Sequence, residues 1–255
     1  MEELSKADQK SLKKIESKFI KAINDYGLIE DNDHILIGLS GGKDSLALVE
    51  LLGKRMKIIV PRFKLTAVHI SVENIPYQSD LDYLKAFTDK FEIPFVHHTT
   101  RFDDTTETNK STCFLCSWQR RKALFEVAEK LNCNKIALGH HLDDIAETLL
   151  LNLVYQGSFG SMPPKLKMNK FEMTIIRPLA LIAEKEMKEM ERIRDYQKQI
   201  KNCPHEKDSS RRDAKSLITE LEKWNPNVRQ NLWAAMENVK TEYLPQKKKV
   251  KFPKE

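Results

Sequence analysis

The chain has 255 residues, 40% of them apolar and 31% charged, with a formal net charge of +6 and an isoelectric point near 9.0, the balance of a folded globular protein able to bury a sizeable core. No window approaches the ~18 consecutive apolar residues of a membrane-spanning helix, and the stretch around Glu2, Glu3, Lys6 and Asp8 lacks the apolar run of a secretory signal, so a soluble, cytosolic protein is expected. In that setting four cysteines point to metal ligands or catalytic groups rather than disulfides, and the basic excess favours a polyanionic partner such as nucleic acid.

Leu12, Ile15, Phe19, Ile20 and Ile23 recur at helical spacing among lysines and glutamates, which predicts an amphipathic helix over 8–26 ending near Gly27. An apolar strand, Ile35 to Leu39, then breaks into Ser40-Gly41-Gly42-Lys43-Asp44-Ser45 and an apolar helix reaching Leu52. Two adjacent glycines let the backbone turn tightly and bring its N–H groups against phosphate oxygens. The helix start adds its positive dipole end, and Ser40, Ser45 and Lys43 add hydroxyl donors and a cation. The spacing is neither that of the kinase-type P-loop nor that of a Gly-x-Gly-x-x-Gly dinucleotide fingerprint. It predicts a loop that holds pyrophosphate.

Further on, the pattern predicts a strand near Leu65–Ile70, a helix near Ser79–Phe91, a strand near Pro94–His98 and a polar segment over 99–112. A helix near Ser117–Leu131, a strand Lys135–Leu138, a helix near Leu142–Tyr155 and a strand Met173–Ile176 follow. Strands separated by helices predict an α/β fold with a parallel sheet covered on both faces. From about residue 184 the sequence becomes charged and helical, and Asn225-Pro226 opens a last helix carrying Val228, Leu232, Met236 and Val239. The expected organisation is an N-terminal amphipathic helix (1–29), a nucleotide-binding domain (30–190), a C-terminal helical extension (191–245) and a basic tail (246–255) whose lysines read equally as a solvated terminus or a nucleic-acid contact.

Two further constellations bear chemistry. Cys113-Phe114-Leu115-Cys116, with Cys203 far downstream, fits a zinc site, a redox dithiol or a cubic iron–sulfur cluster with one iron left open. A fourth ligand for zinc is not evident beyond His205, while Cys133 reads as a small buried apolar residue. Gly139-His140-His141-Leu142-Asp143-Asp144 follows a strand directly, and so should face the crevice at the carboxyl ends of the strands. A carboxylate there, Asp143 first, suits a magnesium ion on nucleotide phosphates, or simply complements the helix dipole. Arg177, after the strand Met173–Ile176, reads as a phosphate-facing guanidinium or a surface ion-pair partner. Phe114 and Trp118 read as core residues before base-stacking ones.

Taken together, the loop Ser40–Ser45, Cys113-x-x-Cys116 followed by Arg120-Arg121, Lys135-Ile136-Ala137-Leu138-Gly139-His140-His141-x-Asp143-Asp144, Gly160-x-Met162-Pro163-Pro164-Lys165-Leu166, Ile176-Arg177-Pro178-Leu179 and Cys203 resemble the tRNA 2-thiocytidine synthetase family of the PP-loop ATP pyrophosphatases over about residues 30–240. The resemblance implies a Rossmann-like adenine nucleotide alpha-hydrolase domain. It also implies ATP-dependent thiolation of C2 of a cytidine at position 32 of the tRNA anticodon loop, by way of an adenylated base. Ser40, Gly41, Gly42, Lys43, Asp44 and Ser45 would bind the phosphates, with Gly139, His140 and Arg177 lining the nucleotide site. Cys113, Cys116 and Cys203 would hold a [4Fe-4S] cluster, and Lys43 and Asp143 would serve the chemistry, Asp143 as the magnesium candidate. The implied partners are tRNA, ATP and a sulfur donor, either a cysteine desulfurase or sulfide, and a homodimer is compatible with the family. Arg120, Arg121 and Lys165 are candidate contacts to RNA phosphates. Two departures stand out: Ser71-Val72-Glu73 follows the second strand where the family often has an aspartate, and Glu206 stands where a further cysteine is common. The rival readings are a related uridine 2-thiolase and a zinc-stabilised nucleotide- or RNA-binding protein without catalysis.

Overall fold

A computed structural model describes residues 4–75, 79–102, 112–169, 171–197, 199 and 210–245. Six strands form one sheet in the order β3-β2-β1-β4-β6-β5, with β1 His34–Gly38, β2 Lys64–Val72, β3 Phe95–Thr100, β4 Lys135–Ala137, β5 Lys165–Lys167 and β6 Thr174–Ile176. Every pairing is parallel except that of β5 with β6. The helices are α1 Lys6–Asp25, α2 Lys43–Met56, α3 Leu81–Asp89, α4 Thr112–Lys130, α5 Leu142–Gln156, α6 Glu184–Arg194, α7 Ser210–Trp224 and α8 Val228–Glu237.

The period-two alternation of the strands divides the core. Ile35, Ile37, Leu65, Ala67, Ala137 and Ile176 pack with α1, α2, α3 and α6. Leu36, Val68, Ile136 and Ile175 face Leu124, Phe125, Val127 and Ala128 of α4 on the other side. Burial of both faces is why these strands read as near-continuous apolar runs. Helix starts are fixed locally: Ser5 accepts from Asp8 N, Asp80 accepts from Tyr83 N, and His141 and Asp144 form a reciprocal capping box on α5.

Two expectations are corrected and one strand is added. The helix bearing the cysteines starts at Thr112, so Cys113 and Cys116 lie within its first five residues and not ahead of it. Phe114 and Trp118 are exposed, because the buried face of α4 begins only at Ala123. Strand β5 was not anticipated: its three residues are all exposed and carry no apolar alternation. The polar segment 103–111, Cys203 and the basic tail lie outside the described residues.

Below the sheet, Lys135 is 3% exposed yet charged, and its ammonium meets Asp33 at 2.7 Å and Glu30 at 2.9 Å and donates to the Leu28 carbonyl. Asp33, itself 3% exposed at the side chain, also accepts from Asn134 Nδ2 and Glu30 N. This cluster ties the turn after α1 to the start of β4. Removing one partner of a buried pair leaves the other charge uncompensated, so Lys135→Met is expected to cost about 3–5 kcal/mol of stability. Urea denaturation should show the loss, and adding Asp33→Asn should recover part of it.

Candidate active site at the carboxyl edge of the sheet

β1 has β2 on one side and β4 on the other, so the chain reverses direction across the sheet between β1 and β4, where ligands bind in open parallel sheets. Leu39, just past β1, is held at both ends: its N–H donates to Val68 O at 2.9 Å, and its carbonyl lies 2.7 Å from His69 Nδ1. A carbonyl only accepts, so Nδ1 carries the proton, and burial lowers the pKa of His69 and keeps the ring neutral. The ring stacks on His97, centroids 6.1 Å apart, and His97 Nε2 is 2.9 Å from Ser71 Oγ.

From that anchor the loop turns through Gly41, whose φ of +82° belongs to the region that favours glycine. Ser45 Oγ donates to Gly42 O at 2.8 Å, and Ser40 Oγ lies 3.2 Å from Ser45 Oγ. Gly42 caps α2 without a side-chain bond, which leaves the helix's first N–H groups directed at the space beyond the loop, the arrangement that binds phosphate. Lys43 Nζ meets Asp44 Oδ2 at 3.0 Å; Asp44 Oδ1 is buried with no hydrogen-bond partner among the described residues. A cavity of about 240 Å³ is bounded by Gly41, Gly42, Lys43, Asp44, Gln197 and Gln199.

Gly139, past β4, closes the other side. A Cβ there would stand 3.1–3.2 Å from the backbone of Asp44 and Ser45, so the residue permits β4 to end directly against the first turn of α2. His140 Nδ1 accepts from Arg177 Nε at 3.3 Å, and Arg177 Nη1 donates to Pro163 O at 2.6 Å. Arg177 is buried: instead of reaching outward as a phosphate clamp, it fixes His140 to the 160–164 segment. Asp143 is buried too. Its Oδ2 accepts from Glu184 N at 2.7 Å and its Oδ1 pairs with Arg229 at 2.5 Å, so both oxygens are taken up in tying α5 to α6 and α8. Lys165 donates to Gly27 O and pairs with Glu30, which commits it within the fold.

The cysteine pair stands at the same edge. Leu115 and Cys116 pack against Val72 at the end of β2 and against Ile75 and Phe102 just beyond β2 and β3, and Gln119 Nε2 donates to Thr100 Oγ1 at 2.8 Å. Cys113 is exposed and Cys116 half-buried. Spaced i, i+3 near the start of α4, the two share a helix face. They therefore suit two positions of a thiolate-held iron–sulfur cluster. Among the described residues no group of three His, Cys, Asp or Glu is arranged to hold a metal ion; Cys203 is outside them, four positions after Gln199, which touches the phosphate loop. Cys133 is buried, and burial pushes its thiol up to about 11. No helix among the described residues is long and apolar enough to cross a membrane.

Nothing in the spacing marked His69 or Gln199 as parts of this site. The one available signal was a histidine inside an apolar strand, since a buried polar side chain must have a partner.

Residues 11–216 match the PP-loop domain family. The chain is similar to the tRNA-cytidine(32) 2-sulfurtransferase of Geobacter sulfurreducens, 38% identical over 242 residues, 91% of this chain and 92% of that protein. It is similar to the protein of the same name from Aliivibrio fischeri strain MJ11, 35% identical over 251 residues, 96% of this chain and 82% of that one. Among solved structures it resembles the U34-tRNA thiolase NcsA from Methanococcus maripaludis with its [4Fe-4S] cluster, with a TM-score of 0.72, 26% identity, and coverage of 93% of this chain and 81% of that one.

Burial is the main reason the pKa of His140 falls from 6.5 to about 4, with the Asp144 charge opposing it and Arg177 assisting. The folded protein thus prefers the neutral ring that Arg177 requires. This contribution to stability is complete above pH 6.5 and is lost as pH falls through about 4. An NMR titration should place the His140 midpoint near 4, and a midpoint near 6.5 would mean the ring is open to water.

Proposed function

We propose, for a chain that belongs to the PP-loop domain family and within it to the tRNA-cytidine(32) 2-sulfurtransferases, that it is an ATP-dependent tRNA sulfurtransferase that converts cytidine 32 of the anticodon loop to 2-thiocytidine. The observation that carries this reading is one sheet edge bearing both an uncapped helix start behind Ser40–Gly42 and the Cys113/Cys116 pair beside β2 and β3. The first suits ATP cleavage and the second suits the holding of sulfur.

Replacing a carbonyl oxygen by sulfur needs a better leaving group than oxide. The cytidine O2 attacks the α-phosphorus of ATP, an O–P bond forms, and the bond to pyrophosphate breaks, leaving C2 activated as an adenylate. The N–H groups of the first turn of α2 and the Lys43 ammonium bind the departing pyrophosphate and neutralise its growing charge. Magnesium, when bound, would share that charge; Asp44 Oδ1, buried and without a partner, is the oxygen best suited to hold it. Asp143 acts on the reaction through position, holding α5, α6 and α8 together. His69 keeps Leu39, and with it the loop, in register. A sulfur nucleophile then displaces AMP at C2. Cys113, Cys116 and Cys203 would hold the [4Fe-4S] cluster, which supplies an open iron for the sulfur to be transferred. The sulfur comes from a cysteine desulfurase or free sulfide, and the reaction runs in the cytosol.

The target base must be unstacked to reach this edge, as bases in RNA loops are. Exposed Trp118 and Phe114, beside the cysteines on α4, offer it aromatic faces.

The test is nucleoside mass spectrometry on tRNA treated with anaerobically purified holoenzyme, ATP, magnesium and a sulfide source. Wild type should give 2-thiocytidine at position 32. Cys116→Ala and Cys203→Ala should give none while still binding ATP, and product from either would overturn the three-thiolate assignment. Appearance of 2-thiouridine at position 34 instead would favour the uridine thiolase reading, for which the resemblance to NcsA is the supporting observation.

A further inference from the structure

After α6 the chain turns at Asp195, at a φ of +49°, and runs over the phosphate loop. Tyr196 OH donates to Glu50 Oε2 on α2 at 2.9 Å. Gln197 N donates to Tyr83 OH at 3.1 Å, and Gln197 Nε2 to Asp80 Oδ2 at 3.1 Å. Asp80 N in turn donates to Gln199 Oε1 at 2.8 Å. Since an N–H only donates, this last bond fixes the Gln199 amide: the oxygen faces Asp80 and the NH₂ faces the other way.

Among the described residues that NH₂ has no partner. Gln199 Nε2 is shielded from solvent and makes no hydrogen bond, whereas the amide of Gln197 and the hydroxyl of Tyr196 are both engaged. The stem of Gln199 rests on the loop, so close that a Cβ on Gly41 would lie 2.8 Å from Gln199 Cγ. Both residues line the cavity bounded by Gly42, Lys43 and Asp44. A buried donor without an acceptor is unfavourable in the free protein and is expected where a ligand completes the site.

We propose that Gln199 is a further phosphate-binding residue: its Nε2–H donates to an oxygen of the pyrophosphate part of ATP. The inference rests on the reading of Ser40–Ser45 as the ATP phosphate loop.

Calorimetric titration of the full chain with a non-hydrolysable ATP analogue, with inorganic pyrophosphate and with AMP tests this. Gln199→Glu keeps the acceptor for Asp80 N and puts an anion where the donor was; Gln199→Leu removes the donor together with the acceptor for Asp80 N. Losing a hydrogen bond to a charged group should weaken the analogue and pyrophosphate roughly tenfold or more in both variants, with AMP binding unchanged. In the holoenzyme the same variants should raise KM for ATP by a similar factor with little change in kcat. Wild-type affinities in both variants, with Lys43→Ala binding poorly, would overturn the proposal and leave the loop assignment standing. Wild-type affinity in Lys43→Ala as well would overturn the loop assignment itself. Equal weakening of AMP and pyrophosphate would show a disturbed site and would also overturn the proposal.

Discussion

The site depends on one close approach. The end of β4 lies so close to the first turn of α2 that a Cβ at position 139 would stand 3.1–3.2 Å from its backbone, and this contact sets where two chemical groups meet. On one side it positions the phosphate loop and the uncapped start of α2; on the other it releases His140 toward Arg177 and starts the capping box of α5. Interiors are packed tightly enough that such a contact is felt as geometry, not absorbed as slack. The reversal of the strand order opens the crevice, and Gly139 determines how narrow it is.

A second constraint holds α2 from behind. Glu50 is buried on that helix and gathers Lys54 at 2.7 Å, Arg194 at 2.8 Å and the Tyr196 hydroxyl. A buried carboxylate is tolerated only with partners of this kind. The helix that presents the phosphate loop at its start therefore anchors, further along its length, the segment that folds back over that loop. Asp143 does the same for the far side, joining α5 to the start of α6 and to Arg229 of α8, which also pairs with Glu222 of α7. The C-terminal helices are thus part of the site's framework.

How far the sequence revealed this depended on whether the controlling interaction was local. Ile35, Leu36 and Ile37 alternate between two apolar surroundings, and the glycines at 41 and 42 follow them immediately, so strand, turn and helix were all legible from neighbouring residues. The cysteine pair was legible as chemistry but not as placement: Phe114 and Trp118 are exposed, and without an apolar period the first turn of α4 was missed. β5 is invisible in the sequence because Lys165–Lys167 carries no apolar alternation and is a strand through its pairing with β6. For Asp143 and Arg177 the sequence leaves a ligand-facing and a structural reading open, because their partners, Arg229 and Pro163, lie on elements that only the fold brings near. The same distance in sequence hid Gln199.

Cys133 has a use that follows from its position. It sits in the core beneath α4, where burial holds its thiol at about 11, so near neutral pH it stays protonated and slow to react. Thiolate, not thiol, is what alkylating reagents consume. Among the described cysteines, reagent uptake would therefore come from Cys113 and Cys116 at the sheet edge. A mass-tagged alkylator then becomes an occupancy gauge for that edge, with Cys133 as the built-in unlabelled reference whose modification announces unfolding.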